Sequence, residues 1–302
     1  MKDRGRLLGI LALVGTSIVW GTTGTAATLA PSVGPLAIGS AALGVGGLLQ
    51  AAVAVPQLRA ATPLLKANRA TVIVGAVALW IYPLAFYSSM HFAGVAVGSV
   101  ISLATAPLFS GLLEWVVDRR PLGLWWMVAA SLGVTGAVLL ASSDLREGVS
   151  GGASMGLGIG LGLVAAGTYA TYSWAAKHLM NRGVSRAAAM GSIFGLGGLA
   201  LIPVLLATGA PIVASREAFT VAAYMALVPM FLGYLMFGYG LTKVPASTAT
   251  TITLIEPAVA AILAVWFVGE RLTATGWVGI ALFALVLTIV SAAPPPRRRV
   301  GQ

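Results

Sequence analysis

No cysteine occurs in this sequence, so disulfides, thiolate catalysis, iron–sulfur clusters and zinc–thiolate sites fall away together. Histidine occurs twice, at His91 and His178, and both read as helix-end residues rather than metal ligands. Charge is scarce: Asp, Glu, Lys and Arg make up 9% of the residues, where soluble domains carry about a quarter. That is too little to coat a water-soluble globule, and disorder is excluded as well because it needs high charge and low hydrophobicity. ATP machinery is missing, since none of Lys2, Lys66, Lys177 and Lys243 follows a glycine in the P-loop pattern. HExxH and GxGxxG do not occur. One formal GxSxG match, Gly152–Gly156, stands at the start of an apolar run, without the His and Asp partners that motif requires.

What is abundant points to lipid as the solvent. Of 302 residues 58% are hydrophobic, 38 are glycine, and the mean hydropathy is +0.95. At about 20 residues per span the chain has room for roughly ten helices. Apolar stretches fall at 7–29, 34–55, 71–92, 95–117 and 122–141, then at 154–176, 187–207, 218–241, 246–268 and 274–292. They lack barrel-strand alternation, and backbone groups in hydrocarbon must be satisfied within the segment, so the stretches are helices. The run from Leu7 reads as a first membrane helix and not as a cleaved leader. The uncharged link at His91–Val95 leaves a nine-helix count open.

Lys and Arg placement sets the expected orientation. With the N-terminus inside, fifteen of the eighteen, from Lys2 to the Arg297–Arg299 run, lie on inside segments, and Arg146, Arg216 and Arg271 lie outside. Both termini are therefore expected in the cytoplasm, and the net charge of +10 reports topology and not nucleic acid. The longest outside link, around Ser142–Ala153, divides the chain near its middle. Landmarks recur across it: Pro107 and Pro257 are 150 residues apart, Trp115, Arg120 and Trp126 match Trp266, Arg271 and Trp277 at 151, and Trp20 matches Tyr169 at 149. Five helices per half is an odd number, so the second copy must be inverted. The expected units are 7–141, 154–292 and a basic tail at 293–302. Small residues at helical spacing (Gly191 and Gly195; Ala129, Gly133 and Ala137; Gly156 to Gly162) are read as packing faces.

Glu256 stands in the middle of the ninth helix directly before Pro257. A carboxylate there costs about 2.5 kcal/mol or more unless it faces a polar cavity or is protonated. Two readings are open: a proton or cation site beside a kink, or a protonated acid bonded to backbone freed by the proline. Glu114, near Asp118–Arg120, reads as a snorkelling or paired residue. Hydroxyls cluster on three helices: Thr22, Thr23 and Thr25; Ser99 and Ser102; Ser247, Thr248, Thr250, Thr251 and Thr253. Each could bond its own i−4 carbonyl, but their recurrence in related helices points to one central cavity. Trp125, Trp126, Trp266 and Trp277 read as interfacial anchors, whereas Trp20, Tyr82, Phe86, Tyr169, Tyr172, Trp174, Tyr234 and Tyr239 fall deeper. The substrate-binding set so defined is Trp20, Thr23, Tyr82, Phe86, Ser99, Ser102, Tyr169, Tyr234, Thr248 and Thr251. Glu256 is the proton-coupling candidate, and Pro107 and Pro257 are the kinks.

Trp20–Gly21, the Pro107 and Pro257 helices, the close of the second half at Val268–Gly269–Glu270–Arg271, and Gly276–Trp277 together resemble the EamA-type branch of the drug/metabolite transporter superfamily. The resemblance covers residues 7–292. It implies an all-α polytopic membrane protein with ten helices in a 5+5 inverted repeat around a central cavity. It also implies a bacterial inner-membrane exporter of small metabolites, often amino acids, working without ATP; from the residues themselves no cofactor or metal is expected. The chain is similar to the aromatic amino-acid exporters of that branch. Two departures bear on substrate: Gly34–Gln50 lacks the basic residue common in the second helix, and the first half ends Asp118–Arg119–Arg120–Pro121. Strongly anionic solutes are thereby disfavoured, and neutral, zwitterionic or flat cationic ones suit the site. An organic-cation exporter of the same fold, and a membrane-embedded enzyme or scaffold, are the alternatives. The expected partners are a small solute and the bilayer, with the protein a monomer or weak dimer.

Overall fold

The structure, a computed structural model, describes residues 2–144, 153–263, 265–266 and 273–292. All its regular elements are helical among these residues. Ten long segments carry the fold: α1 (Lys2–Thr28), α2 (Pro35–Val53), α3 (Arg69–Ala93), α4 (Val95–Val116), α5 (Leu124–Asp144), α6 (Ala153–Asn181), α7 (Arg186–Thr208), α8 (Arg216–Lys243), α9 (Ala246–Leu263) and α10 (Ala274–Ala292). Eight of them are long and apolar enough to cross a membrane, and Leu124–Leu140 of α5 is a shorter apolar helix. The 145–152 link with Arg146, the Val268–Arg271 motif and the 293–302 tail lie outside the described residues.

Local chemistry sets the helix ends. Pro35 stands in the first turn of α2 behind an extended Gly34, where its missing N–H costs nothing. Ser185 and Ser215 cap α7 and α8 by accepting from the N–H groups of Ala188 and Ala218 at 3.4 and 3.2 Å. Gly94 decides the helix count. Its φ of 85° is one that a residue with Cβ rarely adopts, and it breaks 69–116 into α3 and α4. The nine-helix alternative is thereby removed.

Packing follows a two-fold pattern. α2 packs on α7 and α5 on α10, each pair mapping onto itself when the two halves are exchanged. The same exchange turns α3–α6 into α8–α1, and α4–α6 into α9–α1, and both members of each pair are present. This is the arrangement of an internal inverted repeat. Glycine lets the self-paired helices touch backbone to backbone. A Cβ at Gly198 of α7 would lie 2.9 Å from the Gly44 carbonyl oxygen of α2, and one at Gly279 of α10 would lie 2.6 Å from that of Gly136 in α5. By contrast Gly160 of α6 is exposed and a Cβ there meets nothing within 4 Å. Gly198→Leu is expected to destabilise the protein by about 3 kcal/mol, the upper end for overpacking, because backbone and not a flexible side chain stands in the way. Gly160→Ala should leave stability unchanged. Unfolding midpoints in detergent distinguish the two, and equal midpoints would show that α2 and α7 are not in close contact.

Candidate functional site

The deep aromatic residues converge. Trp20 of α1 lies with its ring 4.7 Å from Tyr234 and 5.4 Å from Phe237, both of α8, and 6.1 Å from Tyr169 of α6. Tyr82 of α3 stacks on Phe86 at 5.6 Å and sits 5.6 and 5.5 Å from Tyr169 and Tyr172. Tyr172 and Tyr234 then meet Phe194 of α7. Rings from both halves thus form one continuous cluster, all buried except half-buried Tyr82.

Two helices are irregular where they meet it. Residues Ala226–Leu232 of α8 form a π-helical stretch containing Pro229, which cannot donate to a regular ladder. Its carbonyl receives Trp20 Nε1 at 2.9 Å. In α9, Thr253–Ile255 is a 3₁₀ turn, and Glu256–Pro257 follows at once. Gly21 is what allows α1 to cross here: a Cβ on it would lie 2.8 Å from Val259 Cβ and 3.0 Å from the Glu256 carbonyl oxygen. Pro107, by comparison, lies inside the uninterrupted helix α4.

Hydrogen bonding fixes what the cluster can offer. Thr253 donates to the Thr250 carbonyl at 3.0 Å, so in its 2.8 Å bond with Tyr169 the tyrosine must be the donor. The Tyr169 oxygen keeps its lone pairs as acceptors. Tyr172 and Tyr234 share one bond of 2.6 Å, so one of the two protons stays available to donate. The Glu256 carboxyl is buried, with Tyr82, Tyr87, Tyr169 and Tyr234 in electrostatic reach. Acceptors and a donor therefore share one apolar enclosure with an acid. Most of the other hydroxyls bond their own helix. Thr23 donates to Trp20, Ser102 to Gly98 and Thr251 to Ser247 carbonyls, at 2.7, 2.7 and 2.8 Å. Thr248 and Ser99 are half-buried.

A second polar group lies at the end of the bundle where α4 and α6 finish and α9 begins. Ser247 donates to Glu114 twice, from Oγ at 2.6 Å and from its N–H at 3.2 Å. Asp118 receives Trp174 Nε1 at 3.1 Å and lies 3.0 Å from His178 Nδ1. Glu114 is 5% exposed and does not snorkel. A signal for this was present in the sequence: α9 starts at Ala246 behind Pro245, whose side chain cannot cap, so its first N–H groups require an acceptor from elsewhere. Trp174 and His178 belong to this group, away from the ring cluster. Tyr239 lies beneath Arg186 and Lys243, 5.7 and 5.6 Å from its centroid. Trp126 is no surface anchor: its Nε1 is buried without a partner and its ring abuts Gly111, whereas Trp125, Trp266 and Trp277 are exposed. A cavity of about 30 Å³, room for one water, runs between α2, α7 and α8 from Arg186 and Gln50 to Tyr234.

The sequence model of the EamA-like transporter family matches residues 7–142 and again 156–292. An uncharacterized transporter, YwfM of Bacillus subtilis (strain 168), is 35% identical over 300 residues, covering 96% of each chain. An uncharacterized transporter of Clostridium kluyveri is 27% identical over 168 residues, 55% of this chain and 53% of the relative. A protein solved by crystallography superposes with a TM-score of 0.74 over 95% of this chain and 96% of its own, at 16% identity, a likeness of fold. With the family pattern present once in each half, and a relative similar over nearly its whole length, this multi-pass membrane protein belongs to the EamA-like transporter family.

Proposed function

We propose that this chain exports amino acids, those with aromatic or neutral side chains foremost, across a bacterial inner membrane by alternating access, in exchange for protons taken up at Glu256. The halves 7–141 and 154–292 are the two moving units, both termini are cytoplasmic, and 293–302 is a basic cytoplasmic tail. The observation that carries the reading is Glu256: a buried acid beside a broken stretch of α9, next to a ring cluster built by both halves. A zwitterion needs an acceptor for its ammonium and a donor for its carboxylate. Glu256 and the Tyr169 oxygen fit the first, the free proton of the Tyr172–Tyr234 pair the second, and the rings fit an aromatic side chain. Pro257 lets α9 change direction beside the acid, and Pro107 is its counterpart in α4.

A second reading has support from the same rings. An acid among aromatic faces also suits a flat organic cation through cation–π attraction. Counterflow into proteoliposomes with labelled phenylalanine, tryptophan, leucine and ethidium tests both. Trapped phenylalanine and tryptophan are expected to drive uptake of their labelled forms, with leucine weaker. Counterflow of ethidium alone would establish the cation reading. Counterflow of none of the four would overturn both.

A further inference from the structure

Glu114 takes no part in the transport reading above, yet it is buried and doubly bonded. We propose that Glu114 is a positioning residue of the transport cycle: its carboxylate latches the start of α9 to the end of α4 and closes the cytoplasmic path to the ring cluster and Glu256. The proposal rests on the alternating-access reading and adds to it the group that holds one side shut.

The chemistry of the contact is that of a cap supplied by another helix. The first N–H groups of α9 have no partner within the helix, and Pro245 offers none. Glu114 accepts both the N–H and the hydroxyl of Ser247, and its negative charge meets the positive end of the helix dipole. The bond joins the first half to the second. Just past the end of α4, Asp118 reaches Trp174 and His178 of α6, again across the halves. Lys177 of α6 donates to the Leu241 carbonyl of α8, and Lys177 and Arg120 are in electrostatic reach of Glu114. Helices α4, α6, α8 and α9 are thus tied at one end.

The Glu114–Ser247 pair is not repeated at its counterpart positions in the other half. At the offsets relating the halves, Glu114 corresponds to Val265, Ser247 to Val97, and Trp174 and His178 to Thr25 and Leu29. At these positions the two halves differ, and the Glu114–Ser247 pair has two valines as its counterpart. Burial differs along α9 as well. In α9 Ala246 to Glu256 are buried, Thr248 excepted, while Pro257 and Val259–Leu263 are half-buried. The structure is accordingly closed toward the cytoplasm, and loading from that side requires the Glu114–Ser247 bonds to break.

The native chain lacks cysteine, so single-cysteine labelling reads this directly. Ser110 of α4, one turn before Glu114, is fully buried and its hydroxyl has no partner, so Ser110→Cys is a mild inner reporter. Ser99→Cys, half-buried toward the other end of α4, reports the outside. In the full chain in oriented vesicles, a sulfonated, membrane-impermeant maleimide should label Ser110→Cys slowly from the cytoplasmic side. Adding Ser247→Ala, which removes one hydrogen bond to a charged group, is expected to raise that rate about tenfold. Glu114→Leu should raise it further, and Ser247→Thr, which keeps the hydroxyl, should hold the parental rate. Labelling of Ser99→Cys should slow in step. Unchanged inner labelling in Ser247→Ala and Glu114→Leu would overturn the latch. Faster inner labelling with unchanged outer labelling would uphold the latch and count against alternating access. Should Glu114→Leu fail to fold, Ser247→Ala, one hydroxyl smaller, decides alone.

Discussion

Replacing Glu256 by Gln is expected to abolish accumulation of substrate driven by a pH gradient while leaving exchange of substrate for substrate in place. In the proposed cycle a cationic amine and a proton compete for one carboxyl group, so each substrate that leaves is replaced by a proton moving the other way. With the membrane potential held at zero, one pH unit supplies about 1.4 kcal/mol per proton, enough for about tenfold accumulation. The amide keeps the size and hydrogen-bonding reach of the acid but cannot gain or lose a proton. The accumulation ratio should therefore fall from about ten to about one. Counterflow, which needs no net proton movement, should survive with an apparent affinity about tenfold weaker, the loss expected when a charge-assisted bond becomes neutral. Glu256→Asp retains the acid and should retain the gradient response, which separates coupling from a packing defect. Full tenfold accumulation by Glu256→Gln would place coupling elsewhere or nowhere.

The sequence was most legible where one residue type had one physical meaning. Long apolar runs in a chain with so little charge could only be membrane helices, and the family match in both halves and the helical structure agree. The ring cluster was harder. Spacing alone could not tell an inward Trp20 or Tyr234 from a lipid-facing one, because lipid and core are equally apolar. Trp126 shows the same ambiguity in reverse: a tryptophan at a helix end reads as an anchor, and only the facing Gly111 reveals a packed one. The π-helical stretch of α8 carried a visible cause in Pro229 but not its consequence, since bonding Trp20 to that carbonyl depends on how α1 crosses α8. The Glu114–Ser247 contact spans 133 positions and joins two helices of opposite halves. No local pattern encodes such a pair, although the uncapped start of α9 left a place for it.

Trp20→Ala is expected to be the most destabilising single change at the site. The side chain is 5% exposed and touches rings from three others of the cluster, so its removal opens a cavity where α1, α6 and α8 meet. Truncating a buried tryptophan costs about 3–5 kcal/mol in soluble cores. In lipid the part owed to leaving water is smaller, because the unfolded reference is also apolar, but the lost contacts and the void remain. The Pro229 carbonyl also loses its donor in a stretch where the helix ladder is already irregular, a further penalty of about 1–3 kcal/mol. Trp20→Phe separates the two causes: it keeps most of the ring contact and removes chiefly the N–H, and should cost about 1–3 kcal/mol. Denaturant midpoints in detergent should therefore fall in the order parent, Trp20→Phe, Trp20→Ala. An alanine variant as stable as the parent would mean that the ring cluster is loosely held and that Trp20 faces an open space. Equal losses in the two variants would assign the whole effect to the bond with Pro229, making the irregular stretch of α8, and not the stacking of rings, the feature that fixes α1 against the second half.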